Sequence, residues 1–329
     1  LLAVGDLIGG RVADTSGSVR LSLRHDLQTA AKTALGDREG SVVVLDVETG
    51  AVLAMWSWPS FDPNIVADPD YDTAYAYLDE LINDDRDPLL ANAYQQRYMP
   101  GSTMKVLTTS VALANQTTSL EQTWPDEAAW LPPQTNNPIQ NYGGSVCGGD
   151  LTEVFRRSCN IPFAQLAVDM GPDAFALGMS AWGVGTPVPI DLPRPAASTI
   201  GDDLDTLDDN LPLLAMRGFG QNEVQLVPLH LAMITAAVAD GGVMRVPYVV
   251  DEVLDHTGGT LYSAEPAIWR EPISPSVAQT MVGLMETVAT SGTASCCIGL
   301  DGGITVAAKT GTAQLNGPGE PERSHAWIT

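Results

Sequence analysis

Lysine is almost absent from this sequence: Lys32, Lys105 and Lys309 are the only three in 329 residues. Basic residues of both kinds number 16 against 40 acidic ones, for a net charge of −24. That balance argues against nucleic acid, whose phosphates need a basic face, and against docking on an anionic lipid surface. Cysteine is scarce too: Cys147, Cys159, Cys296 and Cys297 form no C-x-x-C pair. The four histidines stand singly at 25, 230, 256 and 325, so no metal-ligand cluster is expected. In an exported protein the cysteines would allow two disulfides in three connectivities, and buried free thiols are the alternative. A bond between the adjacent Cys296 and Cys297 would be strained. No G-x-S-x-G elbow, P-loop, G-x-G-x-x-G or H-E-x-x-H occurs, which removes several enzyme classes at once. The opening LLAVGDLIGG lacks a basic n-region and a full apolar core, so it is neither a signal peptide nor a spanning helix. With the apolar ending HAWIT, both ends are expected to be truncations of a longer protein.

What is present reads as globular: 44% hydrophobic residues and 17% charged. The acidic runs at Asp62–Asp87 and Asp202–Asp209 are expected to be solvated loop surface. Ser41–Trp58 (SVVVLDVETGAVLAMWSW) predicts a hairpin turning at Gly50, preceded by a helix over His25–Leu35 that Gly36 closes. Further helices are predicted after Gly101 (STMKVLTTSVALAN), over Leu151–Met170, from Pro228 to Gly241-Gly242, and from Ser274-Pro275 to about Thr290. Ile304–Gln314 reads as a late strand. Early strands, a helix-rich middle and late strands predict an α/β (α+β) fold with a mainly antiparallel sheet, flanked by helices and divided by a large helical insertion.

Ser102 and Lys105 lie three apart on the predicted helix, so they share a face one turn apart. A neutral amine there could take the hydroxyl proton, and Met104, Val106 and Leu107 would supply the desolvation that lowers a lysine pKa. The helix N-terminus adds N–H groups suited to an oxyanion. Standing alone, the pair is no more than an ordinary helix pair. Ser158-Cys159-Asn160 is the only S-x-N, and alone reads as a helix-end serine with a capping asparagine. Lys309-Thr310-Gly311-Thr312 holds the only K-T-G, and alone reads as an edge strand with a protective lysine. Their conjunction is different: two of three lysines fall in single-copy motifs that match, in order, the S-x-x-K, S-x-N and K-T-G set.

The resemblance extends beyond these triplets. WPSFDPN (Trp58–Asn64), NAYQQRYMPGSTMK (Asn92–Lys105), GFGQNEVQLVPLHLAMITAAVADGG (Gly218–Gly242), VAAKTGTAQ (Val306–Gln314) and SHAWIT (Ser324–Thr329) all contribute. Over residues 18–329 the chain resembles the transpeptidase domain of class B penicillin-binding proteins, members of the penicillin-recognising serine acyl-transferases.

The resemblance implies a peptidoglycan D,D-transpeptidase without cofactor or metal. Ser102 would be acylated by a D-Ala-D-Ala stem peptide, releasing D-Ala, and the acyl group would pass to an amine of a neighbouring stem. Lys105 would be the general base, and Ser158 a proton relay. Asn160 would bind the substrate backbone and Lys105. Lys309, with Thr310 and Thr312, would hold the terminal carboxylate, and Gly311 would leave room for substrate. The backbone N–H groups of Ser102 and Thr312 would form the oxyanion hole. β-Lactams would be trapped at the same serine. Residues 1–20 would be the remnant of a non-catalytic region. In the transpeptidase domain (21–329), a sheet subdomain would span about 21–60 and 266–329, with a helical subdomain over about 61–265. A further strand and a terminal helix would follow residue 329, and an N-terminal helix of the parent protein would anchor it at the extracytoplasmic face of the membrane, beside a glycan-polymerising partner. Ala308, where many relatives have glycine, is a small departure. A D,D-carboxypeptidase, a serine β-lactamase or a non-catalytic penicillin-binding scaffold are the competing readings, the last disfavoured because every motif residue is intact.

Overall fold

A computed structural model describes residues 16–201, 210–300, 302–315 and 323–329. The acidic run at 202–209 and the first fifteen residues lie outside the described residues. The chain opens with β1 (Ser18–Leu21) and α1 (His25–Leu35), the latter closed by Gly36 at φ 60°, as its sequence predicts. β2 (Gly40–Leu45) and β3 (Val52–Trp58) pair antiparallel. Their turn is held by Asp46, whose Oδ1 accepts from the Thr49 amide at 2.9 Å while its carbonyl accepts from Gly50. Two helices follow, α2 (Pro63–Val66) and α3 (Tyr71–Ile82), each capped by the aspartate ahead of it.

The nucleophile segment comes next: a 3₁₀ turn at Gly101–Thr103 leads into α4 (Met104–Ala114). This helix is buried nearly all round, its polar Lys105, Thr108, Thr109 and Ser110 included, so it runs through the core rather than over it. Burying Val106 and Leu107, each fully enclosed, is worth about 1.5–3 kcal/mol apiece. Short strands β4 (Thr123–Glu127), β5 (Ala129–Trp130), β6 (Ile139–Gln140) and β7 (Cys147–Asp150) then form two small antiparallel ladders, β5–β6 lying in the connection between β4 and β7.

The helix expected over Leu151–Met170 is divided into α5 (Leu151–Arg156) and α6 (Ile161–Met170). Ser158 sits at φ 60°, which no right-handed helix accommodates. Pro162 lacks the N–H that would continue the ladder and begins a new helix in its first turn. Helices α7 (Pro172–Ala181), α8 (Leu211–Arg217) and α9 (Pro228–Ala239) complete the helical block. After β8 (Met244–Arg245) come β9 (Val250–Leu254), β10 (Thr260–Ser263) and β11 (Ile268–Arg270). β1 pairs with β9, so the boundary expected at residue 20 falls inside a strand that is tied to residues 250–254. Helix α10 (Pro275–Ser291) is capped by Ser274, in agreement with the sequence.

The late strand is shorter than Ile304–Gln314. Only β12 (Thr310–Gln314) forms a ladder, with β13 (Ser324–Ile328), because Ala308 gives its amide to Met285 of α10 instead. The antiparallel sheet is thus present as two hairpins, β2–β3 and β12–β13, which share no ladder among the described residues. A cleft of about 500 Å³ lies between Gly40–Ser41 on one and Ser324–Trp327 on the other. No helix among the described residues is long and apolar enough to cross a membrane.

Candidate active site

Ser102 occupies the 3₁₀ turn at the start of α4, and Lys105 follows one turn later, fully buried. The Lys105 Nζ lies 2.8 Å from Ser102 Oγ, 2.7 Å from the Ser158 carbonyl and 2.9 Å from Asn160 Oδ1. The last two groups can only accept hydrogen bonds. A neutral amine has two N–H bonds, so donating both of them there leaves its lone pair facing the Ser102 hydroxyl. Burial pushes Lys105 well below the ordinary lysine range, and the nearby Lys309 cation adds to the push. Among the described residues no carboxylate forms an ion pair with either lysine. The aromatic faces of Phe163 and Phe155 lie 5.4 and 5.7 Å from the Lys105 and Lys309 nitrogens instead.

Lys309, also fully buried, reaches Ser158 Oγ at 2.7 Å and the Thr310 carbonyl at 2.9 Å. Burial lowers it to about 7. Ser158 Oγ is also 3.3 Å from Lys105 Nζ, so one hydroxyl links the two amines. The break between α5 and α6 is what makes this contact. Pro162, four residues on, has no N–H to offer the Ser158 carbonyl, which is left to accept from Lys105. Cys159, the middle residue of the triplet, is buried and disulfide-bonded to Cys147 at the start of β7. The other pair is Cys296 with Cys297, so the vicinal bond expected to be unfavourable is the one present. All four cysteines are therefore paired.

Asn160 precedes α6 but does not cap it, since its side chain is turned to Lys105 and to the Gln140 carbonyl. The capping is done by Asn141, whose Oδ1 accepts from the Asn160 and Ile161 amides at 2.8 and 3.2 Å. Asn141 is itself buried and donates to the Glu127 and Ser145 carbonyls. Nothing in the sequence marks it, because the link joins a hairpin loop to a helix 19 residues on, outside any periodicity. Gln221 also faces the cleft and lies within the GFGQN segment, though its role was not legible.

Beneath the cleft the parts fit closely. Gly101, at φ 52°, gives its amide to Gly220 at 3.0 Å. A Cβ on Gly311 would come within 2.6 Å of the Pro100 carbonyl and 2.9 Å of the Thr103 amide. A methyl group on Gly311 would thus run into the nucleophile's own turn. Lys309 and Thr329 exchange both backbone bonds, and β12 pairs with β13 in register from Thr310 to Gln314. Alternation along an antiparallel ladder then turns the Thr312 N–H away from β13, toward the nucleophile. The cleft above has a volume of about 680 Å³, with Ser102, Thr310 and Thr312 on its floor and Tyr142, Gly143 and Gly144 on its roof. Among the described residues no group of side chains could hold a metal ion.

Residues 40–329 match the family described as the penicillin binding protein transpeptidase domain. The chain belongs to that family. It is 34% identical over 338 residues to the peptidoglycan D,D-transpeptidase PbpA of Mycolicibacterium smegmatis, a match covering 98% of this chain and 67% of the relative. The crystal structure of PBPA from Mycobacterium tuberculosis superposes with a TM-score of 0.88 at 30% identity, over 99% of this chain and 73% of that one. A penicillin G acyl-enzyme complex of the same mycobacterial protein matches with a TM-score of 0.84 at 29% identity, over 95% of this chain and 71% of that one. Within this family the S-x-x-K, S-x-N and K-T-G triplets, far apart in sequence, stand here within hydrogen-bonding reach of one another.

Proposed function

We propose that this domain is a peptidoglycan D,D-transpeptidase that acylates on Ser102 and is trapped there by β-lactams. The observation that carries the reading is the buried Lys105 amine, 2.8 Å from Ser102 Oγ with its N–H bonds committed elsewhere. The Ser102 proton passes to Lys105 as Oγ attacks the carbonyl of the penultimate D-Ala. The negative charge that develops on the carbonyl oxygen is met by the N–H groups of Ser102 and Thr312. As the tetrahedral intermediate collapses, the proton travels from Lys105 through Ser158 Oγ to the departing D-Ala amine. Lys309, Thr310 and Thr312 hold the terminal carboxylate, which also keeps Lys309 protonated once substrate is bound. Asn160 holds both Lys105 and the donor backbone. An amine from a neighbouring stem then attacks the ester, and the same groups act in reverse. A β-lactam follows the first half: its ring C–N bond opens and the leaving nitrogen stays tethered, blocking the acceptor.

The setting follows from the substrate. We assign the domain to the extracytoplasmic face of the membrane, working beside a glycan-polymerising partner that supplies new strands. The two disulfides support an oxidising compartment. The test is intact mass after exposure to benzylpenicillin, comparing the wild type with Ser102→Ala. A single, persistent adduct on the wild type alone is the expected result. An adduct on the alanine variant overturns the assignment, and rapid loss of the wild-type adduct would make the protein a β-lactamase.

A further inference from the structure

We propose that Arg157 forms a carboxylate subsite on the cleft wall, reading an acidic group of the substrate peptide other than the donor's terminal carboxylate. This deepens the transpeptidase reading and rests on it. The chain carries 40 acidic residues, yet none of the fifteen described residues lining the cleft is acidic, and Arg157 is the only charged one. Anionic peptides approaching a surface of net charge −24 meet general repulsion, so a local cation on the wall has a job to do.

The guanidinium is held but not neutralised. Its Nη2 donates to the Val146 carbonyl at 2.8 Å, which fixes the fork against the end of the roof loop. Its Nη1 approaches Glu153 only at 3.8 Å. Glu153 is already engaged by Arg156, through Nη2 at 2.7 Å and Nε at 3.0 Å. One carboxylate between two arginines leaves a surplus positive charge, and the short bonds assign that surplus to Arg157. The planar fork suits bidentate pairing with a carboxylate, which a lysine would not reproduce. Position favours the peptide as well. Arg157 directly precedes Ser158, where the chain turns at φ 60°, so both side chains border the channel through which substrate reaches Ser102.

The acidic group can belong to the acyl donor or to the acceptor amine, and the chemistry recognised is the same. Two arms distinguish them, both on the folded domain. In the first, acylation is measured with a thioester donor peptide carrying a side-chain carboxylate and with its carboxamide counterpart. In the second, a fixed acyl-enzyme is partitioned between water and an amine acceptor carrying a free carboxylate or its primary amide. A wild-type preference for the carboxylate of about 10-fold in one arm is expected, falling toward unity in Arg157→Gln and partly kept in Arg157→Lys. The arm that shows it names the source. Preferences near unity in both arms, or a preference that Arg157→Gln retains, overturn the subsite. If the wild type forms no acyl-enzyme with any donor, the transpeptidase reading itself fails, and the subsite with it.

Discussion

Gly101, Gly220 and Gly311, beneath the cleft, leave no room for a methyl group, whereas Gly143 and Gly144, above it, face open space. On the floor, glycine is what lets the nucleophile turn, the loop before Gln221 and β12 touch backbone to backbone. Gly220 accepts from the Gly101 amide, and a Cβ on Gly220 would strike the Gly101 carbonyl. On the roof, Gly143 and Gly144 have φ of 62° and 68°, and their role is only to let the chain turn. The floor therefore ties the nucleophile's turn to its neighbours backbone to backbone. The roof is held at a few points instead: the Cys147–Cys159 disulfide, Asn141 and the Arg157 bond to Val146.

The contrast can be broken from its centre outward. Lys105→Met leaves the Ser102 hydroxyl without a base, and acylation by benzylpenicillin should fall by ~10³-fold while the protein still folds. Gly311→Ala comes next. Its methyl must push back the Pro100 carbonyl, which should cost ~1–3 kcal/mol of stability in chemical denaturation and slow acylation by ~10²-fold through misplacement of Ser102. Asn141→Ala tests the roof where it is pinned. Orphaning the Asn160 and Ile161 amides should cost ~1–3 kcal/mol, with a roughly 10-fold loss of acylation as Asn160 loosens beside Lys105. Gly143→Ala should be the mildest, at ~1–2 kcal/mol for a left-handed alanine and a rate within about 2-fold of wild type. A Gly143→Ala loss as large as that of Gly311→Ala would erase the difference between roof and floor.

The sequence was legible where local rules and single-copy motifs govern. Helices α1, α9 and α10 are bounded by Gly36, by Pro228 and by Ser274-Pro275, each acting within its own turn. Ser102, Lys105 and Lys309 stood out because lysine is so rare. The break at Ser158 has one local mark, Pro162, which the single helix expected over Leu151–Met170 passes over. The contacts that hold it are long-range: a disulfide to Cys147 and a cap from Asn141. The same holds for Gly311, whose neighbour Pro100 is more than two hundred positions away in sequence, so that only the folded chain shows what it makes room for. Asn141 and Arg157 tie the roof loop to helix ends, through contacts that carry no period to read.

Floor chemistry depends on two buried lysines in opposite states, Lys105 neutral and Lys309 charged. The pH dependence of the second-order acylation constant with benzylpenicillin tests this most directly, because it reports the free enzyme. Lys309 lies at about 7 before ligand binds, and a substrate carboxylate stays ionised throughout. Raising the pH through 7 strips the proton that attracts that carboxylate. The constant should therefore fall above pH 7, approaching tenfold per unit, and Lys309→Arg should carry the fall to higher pH. A wild-type constant that keeps rising from pH 7 to 9 would contradict a charged Lys309 and an already neutral Lys105.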